Sequence, residues 1–381
     1  GGGDQIYMTT TGLYVAKQGI RWQPFEAPPA DDPYNYKGRY HNLHETQIIT
    51  KIAFDSATGQ LAVHAVGNVQ GRIKDQWAFK EYAGANAISI ATTTSSKWGV
   101  EAEEDPLQNF QHNHLWILVE EEQKLVLKAS VNNFGPKEDI RAIRYLGTRA
   151  YIVTYHKTDP LFAFELANPL EPTLLGELKI PGFSMYLHPV ADGRLVGVGF
   201  DADEQGDFSW YQGIQVSLFD TSDPSNMARI DNHVHGTRGS HSEVTGDHKA
   251  FYHNAEYQYI GVPVVELSGG ASNQTGGGSQ MGNTATFSGA VLYQLGVSEL
   301  TEVARLTHRE WIPQACERQL NSPAWWQNAV RSLDINRLFT VDARLLTVSR
   351  FGIKAHDLAD PTQTLASTVF TTSNPDCSTS K

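Results

Sequence analysis

Histidines spaced two residues apart are the feature of this sequence best suited to metal chemistry. His112 and His114 form one such pair, His233 and His235 form a second, and His241 follows shortly after. Residues i and i+2 of a β-strand point to the same face, so each pair supplies half of a zinc or copper site if a third ligand comes from a neighbouring strand. Exposed histidines near the corners of a β-sheet have the same spacing, so both interpretations stay open.

Carboxylates cluster in the stretch DADEQGD, residues 201–207. Asp201, Asp203, Glu204 and Asp207 lie close together, and Gly206 permits a sharp turn. Ca²⁺ takes about six to eight oxygen ligands, so the cluster predicts a calcium site, although the full spacing of a calcium-binding loop is missing. The alternative is an acidic, solvated hairpin loop.

Four further polar residues occupy positions suited to lining a ligand channel: Gln76, His188, Asp247 and His248. For the two histidines, the alternative is a ring that hydrogen-bonds the backbone of a neighbouring sheet. For Gln76, in DQWAF, we favour hydrogen bonding between sheets. Asp247 and Glu243 are also candidates for a general base beside the histidine-rich stretch.

Other catalytic and cofactor motifs are missing from the sequence. It contains no Gly-x-Ser-x-Gly elbow, no haem-attachment motif, no phosphate-binding loop and no dinucleotide fingerprint. We therefore expect neither a nucleotide nor a haem, and the motifs identify no enzyme class.

The composition limits the partners of the chain. Forty-two Asp and Glu against thirty Lys and Arg give a net charge of −12, which disfavours nucleic acid and anionic membranes as partners. No apolar run approaches the roughly 18 residues of a membrane-spanning helix, and the start, GGGDQIYMTT, lacks the features of a signal peptide. We expect a chain that is mature or lacks its beginning. Cys316 and Cys377 could form a disulfide or remain free thiols.

A recurring phrase indicates the elements that must position these residues. SLFDTSDP (217–224) returns as FAFELANP, ending at Pro169, and as IKAHDLADP, ending at Pro361. Each is an apolar run that ends in an acidic residue, followed after two residues by Asp or Asn and then Pro, which is typical of a strand entering a turn. Pro169 and Pro224 are 224 − 169 = 55 residues apart. Periods of about 40–55 residues with four short strands are typical of β-propeller blades.

The alternation of apolar residues and the turn signals predict an all-β chain of about six four-stranded antiparallel blades. We place the blades at residues 5–70, 74–134, 140–180, 184–230, 241–308 and 328–370. A flexible Gly/Ser-rich loop is predicted at 268–287 and a C-terminal tail at 371–381. The intact protein holds more than six blades if an N-terminal portion is missing.

Several stretches together resemble a known family. They are EDIRAIRYLGTRAYIVTYHKTDPLFAFELANPLEPTLLGELKIPGFSMYLHPV, GRIKDQWAFKEYAGANAISIATTT, GVGFDADEQG, GIQVSLFDTSDP and SEVTGDHKAF. The resemblance is to secreted bacterial and archaeal proteins with a C-terminal β-propeller domain distantly related to WD repeats. It implies a propeller fold, a secreted, periplasmic or cell-surface location, and further propeller sequence ahead of this chain. It implies no catalytic residues.

We therefore expect an extracytoplasmic binding or scaffold protein whose loops or central channel bind a protein, a surface glycan or a metal ion. The alternative is a metal-dependent hydrolase or oxidoreductase with a calcium or histidine-bound ion in or near the channel. The enzyme hypothesis requires His188, His248 and the paired histidines to converge in one concave site. A component of a larger surface assembly is a third hypothesis.

Overall fold

The computed structural model describes residues 5–10, 12–21, 44–54, 57–94, 111–155, 159–191, 193–205, 208–268, 284–312 and 335–370. These ranges contain β-strands connected by turns, and their only helices are 3₁₀ turns of three residues. The strands form four-stranded antiparallel groups in chain order. The prediction of an all-β propeller built from four-stranded blades is therefore confirmed.

Three groups of strands belong mainly to the first of two compact units, Gly1–His156 with Pro160–Glu177. Their strands are β1 (Gln5–Met8), β2 (Gly12–Arg21), β3 (His44–Phe54), β4 (Leu61–Gln70), β5 (Phe79–Tyr82), β6 (Ala87–Thr94), β7 (His112–Glu121), β8 (Lys124–Phe134), β9 (Asp139–Leu146), β10 (Arg149–Tyr155), β11 (Asp159–Glu165) and β12 (Thr173–Ile180). The last four form a separate sheet.

The first two groups of this unit join into one eight-stranded sheet through their fourth strands. β4 and β8 pair in parallel, with Val66 opposite Lys124 and Gly67 opposite Leu125. A Cβ atom at Gly67 would collide with the backbone and side chain of Leu125. The contact therefore requires a residue without a side chain. Sequence patterns had predicted two separate blades here, and they contain no signal for the pairing.

The remaining groups belong to the second unit, Lys157–Asp159 with Leu178–Lys381. Its strands are β13 (Phe183–Val190), β14 (Arg194–Gln205), β15 (Phe208–Asp220), β16 (Ala228–His235), β17 (Tyr252–Asn254), β18 (Tyr259–Ser268), β19 (Thr284–Leu295), β20 (Leu300–Leu306), β21 (Arg337–Val341), β22 (Arg344–Ser349), β23 (Gly352–Asp357) and β24 (Thr364–Val369). They form three antiparallel sheets, β13–β16, β17–β20 and β21–β24. β16 continues to His235, beyond the predicted blade end at 230, because its ladder with β15 extends to Ile214.

Burial is highest in the middle strands of each sheet. β6, β10 and β18 are buried over almost their whole length, whereas β24 is exposed throughout. A middle strand is covered by strands on both sides and by neighbouring sheets, while a fourth strand leaves one edge open. Each unit has its own apolar core, which holds the strands that carry the polar residues considered below.

The repeated phrase forms the same corner between the third and fourth strands of three sheets. The side chains of Glu165, Asp220 and Asp357 each accept a hydrogen bond from the backbone N–H two residues later, at 2.9 Å. Asn168, Asp223 and Asp360 then cap a second turn in the same way, at 3.0–3.2 Å. The predicted turn chemistry is confirmed at all three places.

Candidate functional site

An open cleft in the second unit lies between the first strands of two neighbouring sheets. It has a volume of about 480 Å³ and is formed by β17, the turn that follows it, and β21. This volume is within the range of about 300–1,000 Å³ typical of small-molecule sites. The lining residues are Phe251, Tyr252, His253, Asn254, Ala255, Leu338, Phe339 and Thr340.

Side chains that bond nearby backbone N–H groups fix the chain before and after β17. Asp247 accepts a hydrogen bond from the Lys249 N–H at 3.0 Å, which starts the 3₁₀ turn His248–Ala250 directly before the strand. Asn254 ends the strand and accepts from the Tyr257 N–H at 3.0 Å. Both caps use an oxygen on a short side chain to satisfy a backbone donor that the strand ladder does not reach.

Hydrogen bonds across the cleft connect β17 to β21. The Thr340 hydroxyl lies 2.7 Å from the Tyr252 hydroxyl, and the Asn254 amide donates to the same Thr340 oxygen at 3.1 Å. Phe339 precedes Thr340 and is 42% exposed, so much of its ring contacts solvent. Thr340 therefore faces β17, and the Phe339 side chain, one residue earlier on the strand, points to the opposite face.

A chain of hydrogen bonds connects β13 to β17. Tyr186 and His188 are two residues apart on β13 and share a face, and the Tyr186 hydroxyl lies 2.9 Å from His188 Nδ1. His188 Nε2 lies 3.1 Å from His253 Nδ1. The other ring nitrogen of His253, Nε2, has no hydrogen-bond partner within the described residues. His253 thus connects β17 with β13, on the face of β17 opposite Tyr252 and Asn254.

Each of the two hydrogen bonds in this chain holds a single proton between its two atoms, so two neutral arrangements exist. In the first, Tyr186 donates to His188, His188 donates to His253, and His253 Nε2–H is a donor. In the second, both bonds reverse and His253 Nε2 is an acceptor. Burial lowers the pKa of His253, which favours the neutral ring in both arrangements.

Aromatic rings hold the two histidines in place. The His188 ring lies 4.7 Å from the Phe251 ring and 5.0 Å from the His253 ring, measured between centroids. Tyr186 packs on Phe251 at 5.4 Å. These contacts hold the two imidazoles against each other.

The predicted channel residues have different positions. His188 belongs to the hydrogen-bonded chain, and the His248 ring stacks on Tyr186 at 6.5 Å. Asp247 caps the 3₁₀ turn and forms an ion pair with Arg337. None of these three lines the cleft directly. Gln76 belongs to the first unit, where it is exposed in the 3₁₀ turn Gln76–Ala78.

The His233 and His235 pair lies on β16, as the spacing predicted for a strand. The two ring nitrogens of the buried His235 bond the carboxylate of Glu266, at 2.8 Å, and the hydroxyl of Tyr293. Burial alone would raise the pKa of Glu266, but hydrogen bonds from His235 and Arg305 lower it. His233 Nε2 lies 3.3 Å from a carboxylate oxygen of Asp231. The His235 contacts connect neighbouring sheets of the second unit, whereas the His233 contact stays within β16.

The other predicted metal ligands also have protein partners. His114 is buried on β7 and bonds Asn132 at 3.0 Å and Thr94 at 3.3 Å, and its ring stacks on Trp116 at 4.8 Å. His112 is buried on the same strand, and buried His241 forms a backbone bridge to Val265. In the described ranges, no three His, Cys, Asp or Glu side chains are arranged to hold a metal ion.

Other predictions fall wholly or partly outside the described part of the chain. Asp207 and both cysteines, Cys316 and Cys377, lie outside it, and for Asp203 and Glu204 only the backbone is described, as part of β14. Asp201 is described, with Arg229 as an electrostatic partner. The calcium site at 201–207, like the zinc or copper site, stays a prediction.

Sequence reasoning missed His253, Phe339 and Thr340. His253 follows closely on the quoted stretch SEVTGDHKAF, but it has no second histidine two residues away. Phe339 and Thr340 are separated from His253 by more than eighty residues, and only the pairing of neighbouring sheets brings them together. For Phe339 and Thr340, the signal available in the sequence was an aromatic residue next to a hydroxyl residue on a predicted strand.

Comparison with known families identifies the fold of the whole chain. The family model described as "Beta propeller domain" matches residues 1–361. The chain belongs to this family. The match agrees with the four-stranded sheets in both units and adds no catalytic or ligand-binding residue.

Two similar proteins come from archaea. An uncharacterized protein of Archaeoglobus fulgidus is 29% identical over 239 residues, covering 61% of this chain and 34% of its own length. The uncharacterized protein MJ1554 of Methanocaldococcus jannaschii is 31% identical over 233 residues, with 61% and 33% covered. The matched segment thus spans about a third of the length of these relatives.

Among solved structures, Sqt1 of Saccharomyces cerevisiae is similar at a TM-score of 0.43 and 7% identity, covering 85% of this chain and 70% of that one. This likeness is too low to carry an argument. Among the described residues of this β-propeller chain, no helix has the length and apolar character needed to cross a membrane.

Proposed function

We propose that this chain is a binding module whose ligand site is the cleft between β17 and β21, and that it acts outside the cytoplasm. The observation that carries the proposal is the cleft itself, which Asn254 and Thr340 line with an amide and a hydroxyl group. Rigid strands hold both residues, so a ligand meets groups that are already in place. At this level, a segment of a partner protein and a surface glycan are both suitable ligands.

The proposal requires no catalytic step. The enzyme hypothesis required His188, His248 and the paired histidines to share one concave site. His188 and His248 both pack on Tyr186, whereas His233 and His235 bond Asp231, Glu266 and Tyr293. This separation within the second unit supports binding over metal-dependent chemistry.

Thermal unfolding in the presence of ligand classes tests the site. We expect at least one class among oligosaccharides, short peptides and divalent cations to raise the melting temperature of the chain by a few degrees at about 100 times its Kd. Thr340→Val removes the hydroxyl that faces β17 and should reduce that shift. Val341→Ala is the matched control, because Val341 is 46% exposed on the same strand but does not line the cleft.

Two results would contradict the assignment of the site. One is an unchanged shift in Thr340→Val, since the ligand would then bind elsewhere. The other is the absence of a shift with every class in the wild-type chain.

The location outside the cytoplasm rests on the family resemblance of the quoted sequence stretches. We expect protease added to intact cells that express the full-length natural protein to digest this domain. A domain that stays protected until the cells are lysed would overturn this part of the proposal.

A further inference from the structure

The strand β24 forms an exposed edge of the sheet β21–β24. It is the end strand of this sheet, and within the described residues it pairs only with β23. All six of its residues are exposed, with Leu365 at 47% and Val369 at 52%. An edge strand presents a row of unpaired backbone N–H and C=O groups to which another strand can bond. A further strand can therefore join the sheet at β24.

The ladder with β23 shows which backbone groups of β24 face the open edge. The Phe370 N–H donates to the Phe351 carbonyl at 2.7 Å, in the register of the β23–β24 pairing. Bonded and non-bonded pairs alternate along an antiparallel ladder, so Thr368 also bonds β23. Ser367 and Val369 alternate with these residues. Their backbone N–H and C=O groups therefore point away from β23, to the open edge.

The side chains of β24 include no charged group, unlike those of other fourth strands. The strand reads TLASTV, and no Asp, Glu, Lys or Arg occurs between Asp360 and Asp376. Three other fourth strands that end a sheet each carry two such residues: Glu177 and Lys179 on β12, Arg229 and Asp231 on β16, and Glu302 and Arg305 on β20. Charges on an edge strand oppose pairing with another chain, and β24 lacks this protection.

The fourth strand β4 is also uncharged, and its outer side is paired. It reads LAVHAVGNVQ, without Asp, Glu, Lys or Arg, and it bonds the fourth strand β8 of the neighbouring sheet. Short apolar and β-branched runs without charge or proline are prone to such pairing. Of the two uncharged fourth strands among the described residues, β4 thus has a partner on its outer side, and β24 has an open edge.

We propose that β24 pairs with β24 of a second copy of this chain, antiparallel across a twofold axis. Two uncharged edges meet without the like-charge repulsion that copies of a chain with a net charge of −12 otherwise experience. The twofold arrangement uses the open edge of both strands, so association stops at a dimer. β21 and β24 lie at opposite ends of their sheet, so this dimer does not depend on the ligand cleft.

Sedimentation velocity of the purified chain, at concentrations from about 1 to 100 µM, tests the proposal. We expect the dimer fraction to rise across this range, since an interface of one strand from each copy is smaller than that of an obligate dimer. Ser367→Pro removes the N–H that faces the open edge and leaves the bonds to β23 in place. It should raise the Kd of the dimer about tenfold or more, because symmetry removes two hydrogen bonds at once.

Two further variants separate edge pairing from a general loss of structure. Ser367→Ala is the matched control, since it removes the hydroxyl but keeps the backbone N–H, and its Kd should stay within about twofold of wild type. Val369→Lys keeps every backbone group and adds a charge to the exposed edge of each copy, so it should also weaken the dimer. Melting temperatures of all three variants verify that they fold.

Three results would overturn the proposed dimer. One is a chain that stays monomeric over the whole concentration range. Another is a dimer that Ser367→Pro and Val369→Lys leave unchanged, since the copies would then meet at a different surface. The third is association that continues beyond two copies, because pairing of the two β24 edges leaves no open edge at this strand.

Discussion

His308 and His356 are almost fully buried on either side of the Thr347 hydroxyl. The Thr347 oxygen lies 2.9 Å from His308 Nε2 and 3.0 Å from His356 Nε2, and His308 Nδ1 lies 2.9 Å from the Ser349 hydroxyl. Burial, with the nearby Lys354 ammonium, lowers the pKa of each histidine to about 4. Both rings are therefore neutral in the folded protein at pH 7.

This burial predicts acid-sensitive stability. The folded pKa values lie below the ordinary value of 6.5, so the unfolded chain binds more protons as the pH falls from about 6.5 toward 4. The free energy of unfolding should decrease across this window by up to about 1.4 kcal/mol per pH unit for each histidine. Above pH 6.5 these two groups add no pH dependence. Urea unfolding at a series of pH values measures the effect.

The variant His356→Gln isolates the contribution of one ring. It removes one titratable group but can still hydrogen-bond Thr347, so its stability should change less with pH than that of the wild type between pH 6.5 and 4. Equal pH dependence in the two proteins would show that His356 does not keep a lowered pKa.

At the scale of single residues, the sequence predicted which side chains are polar and on which strand face they lie, but not their partners. The spacing of His233 and His235 correctly indicated a strand, yet Glu266 and Tyr293 occupy the ring nitrogens of His235. Those partners come from another sheet, so no local pattern contains them. The same holds for His253, whose neighbour His188 is 65 residues away.

At the scale of strands and turns, local patterns were reliable wherever the determining contacts are local. The corner after β15 was predictable because Asp220 bonds a backbone group only two residues away. The pairing of β4 with β8 was not predictable. Only two residues of each strand pair, they are far apart in the sequence, and Gly67 alone does not specify its partner.

The β4–β8 pairing gives a test at this scale. Gly67→Ala should lower the free energy of unfolding by about 1–3 kcal/mol, because the added Cβ has no space beside Leu125. It should also speed hydrogen exchange at the Val66 amide, which donates to the Gln123 carbonyl at 3.2 Å. Gly84→Ala is the matched control, since Gly84 is exposed and nothing lies within 4 Å of its added Cβ. Equal stability of the two variants would contradict a close β4–β8 contact.

At the scale of the whole molecule, repeat spacing and composition were sufficient to predict the fold class. Three corner phrases with proline at 169, 224 and 361 implied four-stranded repeats, and the family match extends over residues 1–361. The cleft could not be predicted in the same way. The cleft exists because β17 and β21, each the first strand of its sheet, lie next to each other in the second unit. No local sequence pattern states which sheets become neighbours.

The corner after β15 also has a consequence for synthesis on the ribosome. Its side-chain caps at Asp220 and Asp223 each reach only two residues ahead, so the turn can form as soon as Ser225 has left the exit tunnel. The pairing of β4 with β8 is different. Val66 and Gly67 on β4 have no pairing partners until Lys124 and Leu125 have been translated. Until then the nascent chain carries an open strand edge, a stage at which pairing with another chain competes with correct folding.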